Sequence, residues 1–340
     1  MVSGLRLSDL GERRILSEII PRFAEGTGDD CSVTPLGGGY VVATMDPVPQ
    51  PAARVIAGEA DPFWMGWLLV TINASDIAAS GARPEAFLAA FDMPRDWPLA
   101  DLERLMLGVQ KSCEANGLSY TGGNIREAEK LSAVGVALGF SHKKPLTRSG
   151  AKAGHKLYVF GKSGRFWSDV FDHRAGRAID RNTSPVFCPV SQAKTMFRLH
   201  ESDLVACAMD TSDGLAPTLD ELARKNDLGI LIQTVKIREQ SRELTILERA
   251  ERLWMGWGDW TVVAAIEPDK VKDLQEVMLA EGVIGCEIGE FVSGSNRVEL
   301  RDGASVVALG RLESERFAPD SWFHLGVEAY EEMLRSLSLP

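Results

Sequence analysis

The sequence predicts an α/β protein of two domains, and three observations lead to that prediction. The chain has 340 residues, which is too long for one ordinary hydrophobic core. Its composition, 45% hydrophobic and 25% charged, is that of a soluble globular protein. Segments with the period of strands alternate along the chain with segments of helical period. We expect an N-terminal domain over residues 1–143 and a C-terminal α/β domain over 144–340.

The chain begins with two helices and two strands in alternation. A short helix is predicted over 13–20, and a Gly-rich link leads to the alternating strand GGGYVVATMD, which ends at Asp46. The apolar run WMGWLLVTINASDIAASGARP predicts a buried helix, with Gly81 and Pro84 as its stop signals. The strand AFLAAFDM follows.

The segment PLADLERLMLGVQKSCEANG predicts a second long helix, which Gly117 would cap. Its apolar residues recur at helical spacing: Leu102, Leu105, Met106, Val109 and Cys113. After it, LSYTGGN and LSAVGVALGF predict two strands joined by a polar loop. The first α/β unit therefore closes near residue 143.

The second half begins after SHKKPLTRSGAKAG, whose Pro, Gly and charged residues are typical of a linker. Strands are predicted at HKLYVFG, LGILIQ and WTVVAAIE, and a helix at DKVKDLQEVMLAEG. The run NRVELRDGASVVAL predicts a hairpin that turns at Asp302 and Gly303.

Charge and cysteine content exclude several classes of function. A formal net charge of -11 disfavours nucleic acid as a partner, because such binding depends on clustered Lys and Arg. Five widely spaced cysteines without a CxxC indicate neither a disulfide framework nor a zinc site. The longest apolar segment, WMGWLLVTI, is too short to span a membrane, and no signal peptide is recognised. We expect a cytoplasmic protein.

Acidic residues lie beside Gly, Ser or Thr at predicted junctions, where side chains from different elements can converge. They are Asp29 and Asp30 in GTGDDCSV, Asp46 in ATMDPV, Asp76 in NASDIAAS, and Asp210 and Asp213 in DTSDGL. Magnesium prefers carboxylate oxygens and usually keeps phosphate or water oxygens as its other ligands. Convergent aspartates therefore suggest a triphosphate held through metal.

Each acid also has a structural explanation, because an Asp at a helix entrance is more often a cap than a metal ligand. Asp76 fits that explanation poorly, since a charge inside an apolar run needs partners if it is buried. The run GKSG at 161–164 is not a Walker A loop, because Lys156 stands where that motif requires glycine. A G-x-G-x-x-G between strand and helix is missing too, which disfavours a Rossmann site.

Taken in order, these motifs resemble the superfamily of aminoimidazole ribonucleotide synthetase and thiamine-monophosphate kinase, and the kinase is the nearer of the two. The resemblance runs over residues 10–265, through LGERRIL, GDD, TMD, NASDIAASGARP, TGGN, RSGAKAG, DTSDGL and WGDW. It implies a two-domain synthetase-like fold in which N-terminal strands pair with those of a second subunit to close a β-barrel. ATP would lie between the domains, at the interface of a homodimer.

The resemblance also implies a set of site residues. Magnesium ligands would be Asp30, Thr44, Asp46, Asp76, Asp210 and Asp213. ATP would meet Gly122, Gly123, Asn124, Arg148 and Ser212. Asp210, Asp213 and Arg148 would carry catalysis, and Asp259, Trp257 and Trp260 would lie on the side of the acceptor. The expected activity is transfer of the γ-phosphoryl group of ATP to an oxygen of a small molecule.

Four departures from the kinase pattern fall on metal or acceptor positions. Asn124 stands where the kinase has an acid after its paired glycines, and Gly258 replaces the glutamate of its late GEDYEL motif. PVPQPAARV replaces an acidic, His-containing segment, and His155 stands at a usually acidic position. We therefore expect a specialised biosynthetic paralogue. Amide activation with C–N bond formation, as in the synthetase, and a non-catalytic ATP-binding subunit remain open.

A run of tryptophans next to Asp259 has two explanations. Trp254, Trp257 and Trp260 alternate with Gly256 and Gly258. The first explanation is packing in the core at the start of a strand, since buried aromatic residues are common. The second is a wall on which a planar acceptor or a nucleobase would stack.

Overall fold

A computed structural model describes residues 5–24, 28–245, 247–294, 296–312, 316–317 and 322–340, with the backbone alone for Trp322 and Phe323. Its strands are β1 Ser32–Leu36, β2 Gly39–Pro47, β3 Arg83–Met93, β4 Ser119–Glu127, β5 Ser132–Ser141, β6 Lys156–Phe160, β7 Cys207–Asp210, β8 Gly229–Gln233, β9 Val262–Ile266, β10 Gly285–Val292, β11 Val298–Asp302 and β12 Ser305–Ala308.

The helices are α1 Glu12–Arg14, α2 Ala52–Val55, α3 Phe63–Ser80, α4 Leu99–Asn116, α5 Arg165–Arg174, α6 Ala193–Glu201, α7 Leu215–Asn226, α8 Thr234–Gln240, α9 Ala250–Met255, α10 Val271–Glu281, α11 Trp322–Leu325 and α12 Val327–Ser336. A π turn, Ile15–Ile19, and a 3-10 turn, Ile20–Arg22, continue α1. Two further 3-10 turns are Leu7–Asp9 and Pro268–Lys270. No helix among the described residues combines the length and apolar character needed to cross a membrane.

The N-terminal strands form a five-stranded sheet in the order β1-β2-β5-β3-β4. All neighbours are antiparallel except β3 and β4, which run parallel. Helices α3 and α4 pack together, and one face of the sheet lies against them. Because side chains alternate along a strand, Val42, Phe87 and Ala137 lie on this covered face and are fully buried.

The opposite face of this sheet is apolar and is only partly covered. Alternation places there Val41, Ala43 and Met45 of β2, Leu88 and Ala90 of β3, and Val134, Val136 and Leu138 of β5. Met45 is 67% exposed. We call this set of residues the open face.

The C-terminal strands form a seven-stranded sheet in the order β12-β11-β8-β10-β6-β9-β7. Hydrophobic clusters cover both of its faces, and β6 shows the division. Leu157 and Val159 pack with α5, α7 and α9, whereas Tyr158 and Phe160 pack with α6 and α10. Helix α3 contacts β2 and β5 of the first sheet and β7 of the second, so it lies between the two sheets.

Several predicted elements are confirmed. Helices α3 and α4 end at Gly81 and Gly117, which adopt left-handed backbone angles as caps. Strands β11 and β12 pair as the predicted hairpin around Asp302 and Gly303. The predicted helix over 13–20 is instead an irregular helical segment. The boundary between domains at 143 and 144 stays a prediction, although the strands of the two sheets fall on either side of it.

Candidate metal and nucleotide site

Three of the predicted acids converge. Asp30, Asp76 and Asp210 each offer a carboxylate oxygen, and these oxygens lie within 4.8 Å of one another. Asp30 precedes β1, Asp76 lies on α3, and Asp210 is the last residue of β7. Both sheets and the helix between them therefore contribute to one group of acids, which we call the acidic cluster.

Helix α3 and strand β2 hold one side of the acidic cluster. The Thr44 hydroxyl donates a hydrogen bond of 2.5 Å to Asp76 Oδ2. Asp46 lies two residues further along β2, on the same covered face, and its backbone N–H donates to Asn73 Oδ1 at 3.1 Å. Asn73 and Asp76 are three residues apart on α3, so one face of the helix meets both residues of the strand.

Both carboxylate oxygens of Asp210 accept hydrogen bonds from serines. Ser75 Oγ donates to Oδ2 at 2.6 Å, and Ser212 Oγ donates to Oδ1 at 2.9 Å. The Thr218 hydroxyl donates to the Asp210 carbonyl oxygen at 2.8 Å, which ties the DTSDGL turn to α7. Asp213, at the end of this turn, is exposed to solvent.

Arg148 is the basic residue that contacts the acidic cluster. Its Nη2 donates to Asp30 Oδ1 at 2.7 Å, and its Nη1 lies 4.0 Å from Glu221 Oε1. The Arg148 backbone N–H donates to Asp29 Oδ1 at 2.9 Å. The side chains of Arg148 and Asp30 are 22% and 6% exposed, so this ion pair is largely screened from water.

The acidic cluster carries more negative charge than Arg148 balances. Burial raises the pKa of Asp30 to about 6, although the Arg148 charge opposes this. Burial and the charges of Asp210, Asp46 and Asp30 raise the pKa of Asp76 well above its usual range. Burial also raises the pKa of Asp210, against the hydrogen bonds from Ser75 and Ser212. A divalent cation with oxygen preference would supply the missing charge, and this donor set suits magnesium.

The other predicted metal ligands are placed differently. Among the described residues, the group of oxygens within 4.8 Å does not include Asp46 or Asp213. Thr44 contacts the acidic cluster through its hydrogen bond to Asp76. Ligand roles for Thr44, Asp46 and Asp213 stay predictions.

The predicted ATP residues of TGGN are not brought to the acidic cluster within one chain. Gly122, Gly123 and Asn124 lie on the edge strand β4, with β3 and β5 between it and β2. Three strand spacings amount to about 14 Å. Asn124 pairs with Ala90 and so lies on the open face, whereas Asp46 lies on the covered face.

On the predicted acceptor side, Asp259 caps a helix. Its Oδ2 accepts the Gly164 N–H at 2.6 Å, and its Oδ1 accepts the Phe166 N–H at 2.7 Å. These donors are the N-cap residue and a first-turn residue of α5, where backbone N–H groups have no partner within the helix. Burial raises the pKa of Asp259 to about 7, although these two hydrogen bonds act against it. The contacts of Asp259 are therefore structural, and its predicted role at an acceptor has no support from them.

Trp257 packs in an aromatic group. Its ring centroid lies 4.9 Å from that of Phe166, 5.3 Å from Trp167 and 5.8 Å from Tyr330. Trp254 is buried, and its indole N–H donates to Ser241 Oγ at 2.8 Å. The packing explanation therefore accounts for both residues. Trp260 is half-buried, with φ of 53°, and contact of Trp257 or Trp260 with a substrate stays a prediction.

Gly258 shows why this chain lacks the glutamate of the kinase pattern. Its φ is +111°, and a Cβ atom built on it would lie 2.3 Å from the Phe166 ring. Any larger residue would meet both an unfavourable backbone conformation and this ring.

Several residues that hold the predicted site residues in place by hydrogen bonds were not identified from the sequence. Ser75 and Asn73 support Asp210 and Asp46, and Asn226 binds the loop that carries Arg148. Cys31 lies among the acids. Burial raises the pKa of its thiol, and the charges of the neighbouring acids raise it further. The NASD motif carried a signal for Ser75 and Asn73, because polar residues inside an apolar helix need partners. For Asn226 and Cys31 the sequence carried none.

Comparison with known proteins agrees with this architecture. The family described as AIR synthase related protein, N-terminal domain, matches residues 28–141. The thiamine-monophosphate kinase of Mycobacterium tuberculosis is 30% identical over 327 residues, which cover 92% of this chain and 91% of the relative. That of Halobacterium salinarum is 27% identical over 315 residues, covering 92% and 100%.

Solved structures share the fold. A structure of AaThiL complexed with AMPPCP and TMP has a TM-score of 0.73 at 20% identity, and the match covers 90% of this chain and 99% of that one. The protein tt0281 of Thermus thermophilus has a TM-score of 0.77 at 25% identity, with coverages of 90% and 100%. With the near-complete match to the Mycobacterium tuberculosis relative, these findings show that the chain belongs to the thiamine-monophosphate kinase family, within the AIR synthase superfamily.

Proposed function

We propose that this chain is a magnesium- and ATP-dependent phosphotransferase that moves the γ-phosphoryl group of ATP to an oxygen of a small molecule. Its family makes it an ATP-dependent, kinase-type enzyme. The observation that carries the proposal is the convergence of Asp30, Asp76 and Asp210 within 4.8 Å. Three carboxylates at such a distance offer the oxygen ligands that a hard divalent cation prefers, which supports the proposal.

The chemistry needs placement and charge stabilisation rather than covalent help from the protein. Asp30, Asp76 and Asp210 would hold magnesium, which would neutralise the triphosphate and the charge that develops during transfer. Arg148, already directed at the acidic cluster, would face the phosphates. Ser212, at the exposed turn, would bind a phosphate oxygen, and Thr44, Asp46 and Asp213 would complete the metal environment.

A homodimer would complete the site. The open face is an apolar surface, and a second copy of the chain would bury it by closing a β-barrel. In such a barrel, the edge strand β4 of one subunit would approach the opposite edge of the other sheet, where residues 44–47 of β2 extend beyond β1. This approach would bring Gly122, Gly123 and Asn124 to the acidic cluster. Met45→Arg places a charge on the open face and should give a monomer that binds AMPPCP weakly. A monomeric wild-type protein in sedimentation would contradict the dimer.

The acceptor is proposed to differ from the thiamine monophosphate that the family name states. The support is local: Phe166 occupies the space next to Gly258, and Asn124 replaces an acid. A specialised biosynthetic paralogue fits these departures. Product analysis tests the reaction type, since ADP with a stable phosphoester indicates a kinase, whereas ADP with free phosphate and a new C–N bond indicates the synthetase chemistry.

Calorimetry provides the direct test of the site. We expect the wild-type protein to bind AMPPCP in the presence of magnesium, and Asp210→Asn to bind it at least about 10-fold more weakly, since a metal ligand is lost. Ser80→Ala is a control for the loss of a buried polar contact outside the acidic cluster, because it removes a hydroxyl of α3 that bonds Ile77 O at 2.7 Å. Equal affinities in Asp210→Asn and the wild type would refute the metal site, and binding without turnover on any acceptor would indicate a non-catalytic subunit.

A further inference from the structure

Asn226, the last residue of α7, uses every hydrogen-bonding position of its side chain. Its Oδ1 accepts the backbone N–H groups of Gly150 at 2.8 Å and Ala151 at 2.9 Å. Its Nδ2 donates to the carbonyl oxygens of Arg148 at 2.9 Å and Leu222 at 2.8 Å. An amide offers two acceptor positions and two donors, so the side chain is saturated by backbone groups.

Three of these four bonds hold the loop that carries Arg148. The Asp29 carboxylate accepts the Arg148 N–H, so the backbone of Arg148 is bound through both its N–H and its C=O. This anchoring joins the loop to the C-terminal end of α7, the helix whose N-terminal end follows the DTSDGL turn. One rigid element therefore connects Arg148 with Asp210.

The side chain of Arg148 returns along α7 from this anchor towards the acidic cluster. Its Nη1 lies 4.0 Å from Glu221, which is five residues before Asn226, and its Nη2 reaches Asp30. Its Nε is buried and has no hydrogen-bond partner among the described residues. No hydrogen bond of Nε therefore orients the middle of the side chain. The position from which the side chain extends is set by the anchored backbone of Arg148.

We propose that Asn226 is a positioning residue for Arg148, fixing the backbone from which the guanidinium reaches the nucleotide phosphates. This inference rests on the proposed function, because it gives Arg148 a phosphate ligand. Asn226 itself touches neither the acidic cluster nor, in this proposal, the nucleotide. Its effect on nucleotide affinity passes through Arg148.

Asn226→Ala tests the proposal against a control that the chain supplies. Asn116 is likewise the last residue of a long helix, bonds a carbonyl oxygen four residues back at 2.8 Å, and accepts the N–H of the distant Ser191 at 2.9 Å. We expect Asn226→Ala to weaken binding of AMPPCP with magnesium about 10-fold, less than the roughly 100-fold that a misplacement of 1 Å can cost. Asn116→Ala should lower the Tm and leave the Kd within about twofold, as expected for a distant site.

A double-mutant cycle shows whether the effect passes through Arg148. In the Arg148→Ala background, Asn226→Ala should change the Kd by less than about twofold, because residues that act as a unit are not additive. Asn226→Asp keeps both acceptor positions for Gly150 and Ala151 but sets a carboxylate oxygen against the carbonyl oxygens of Arg148 and Leu222, so it should bind AMPPCP no better than Asn226→Ala. A full 10-fold loss in the Arg148→Ala background, or wild-type affinity in Asn226→Asp, would overturn the proposal.

Hydrogen exchange separates failure of this proposal from failure of the proposed function. The amides of Gly150 and Ala151 should exchange faster in Asn226→Ala than in the wild type, with or without nucleotide. Unchanged exchange, or unchanged AMPPCP affinity in Asn226→Ala, overturns the positioning role while the proposed function stands. A wild-type protein that binds no AMPPCP with magnesium overturns the proposed function, and the role of Asn226 with it.

Discussion

The acidic cluster and Asp259 are two places where carboxylates are withdrawn from water, and they are stabilised in opposite ways. Asp259 receives two backbone N–H groups at the start of α5, so its polar atoms are satisfied by the fold. In the acidic cluster, Asp30, Asp76 and Asp210 face one another, and each raises the cost of ionising its neighbours.

The difference separates a structural acid from a functional one. Backbone donors at a helix start stabilise a carboxylate without any cation. Carboxylates that repel one another lower the stability of the protein until a cation binds, so their arrangement makes sense when binding is the function. A raised pKa alone does not distinguish the two, because both Asp30 and Asp259 have one.

Asp76→Asn should give the largest effect on function. We expect the turnover of ATP to fall by about 100-fold or more, since a charge that holds the metal is removed. The Tm without magnesium should stay the same or rise, because one of three repelling charges is gone. Turnover assays and thermal unfolding check this prediction, and a clear drop of the Tm without metal would assign Asp76 a structural role.

Trp257→Ala should give the largest effect on stability. Removal of an aromatic ring from contact with Phe166, Trp167 and Tyr330 should lower the free energy of unfolding by roughly 3 kcal/mol. Denaturant unfolding measures this change, and AMPPCP titration measures binding. Unchanged stability with weakened binding would instead favour the stacking wall.

Asp259→Ala should lower the free energy of unfolding by about 2 kcal/mol, because the N–H groups of Gly164 and Phe166 lose their acceptors. Affinity for AMPPCP should stay within about twofold of the wild type, since the hydrogen bonds of this acid go to Gly164 and Phe166 and not to the acidic cluster. This is the reverse of the Asp76→Asn result. Loss of affinity without loss of stability would return Asp259 to the site.

The dependence of the Tm on pH should show a smaller effect, and it should differ between the protein without metal and the protein with magnesium. In the folded protein the pKa of Asp30 is raised to about 6 and that of Asp259 to about 7. Both pKa values are higher than in the unfolded chain. Because the folded state binds these protons more tightly, the Tm without metal should rise as the pH falls from 8 to about 5. Magnesium binds the deprotonated acids, so the increase in Tm that it causes should shrink over that range. An increase that is independent of pH would contradict the role of Asp30.

Much of the fold follows from local patterns, and the exceptions have physical reasons. Helices α3 and α4 are long and end at glycine caps, so the apolar residues and the glycine stop signals predict the same helices. Strands β7 and β10 were missed: β7 has four residues, all buried, and β10 contains Gly285 and Gly289 and has no clean alternation. Helices α5, α6 and α12 were missed as well. They are helices of nine or ten residues, so each shows few turns of its pattern.

The site was predictable to the extent that local motifs mark it. Asp30, Asp76 and Asp210 are distant in the sequence, and their convergence was predicted from the family resemblance. The saturated amide of Asn226 could not be predicted, since it depends on how the end of α7 meets a loop about 75 residues earlier. The separation of Asn124 from the acidic cluster also depends on the order of strands, which the local pattern does not contain.

The position of the Phe166 ring beside Gly258 has a consequence for substitutions in this chain. A glutamate could not be introduced at position 258 by one substitution, because its Cβ would overlap the Phe166 ring and its backbone would be strained. Such a substitution would first require a smaller residue at 166, and that change would loosen the aromatic packing around Trp257. Positions 166 and 258 are thus coupled, because a side chain at 258 and the full ring at 166 would occupy the same space.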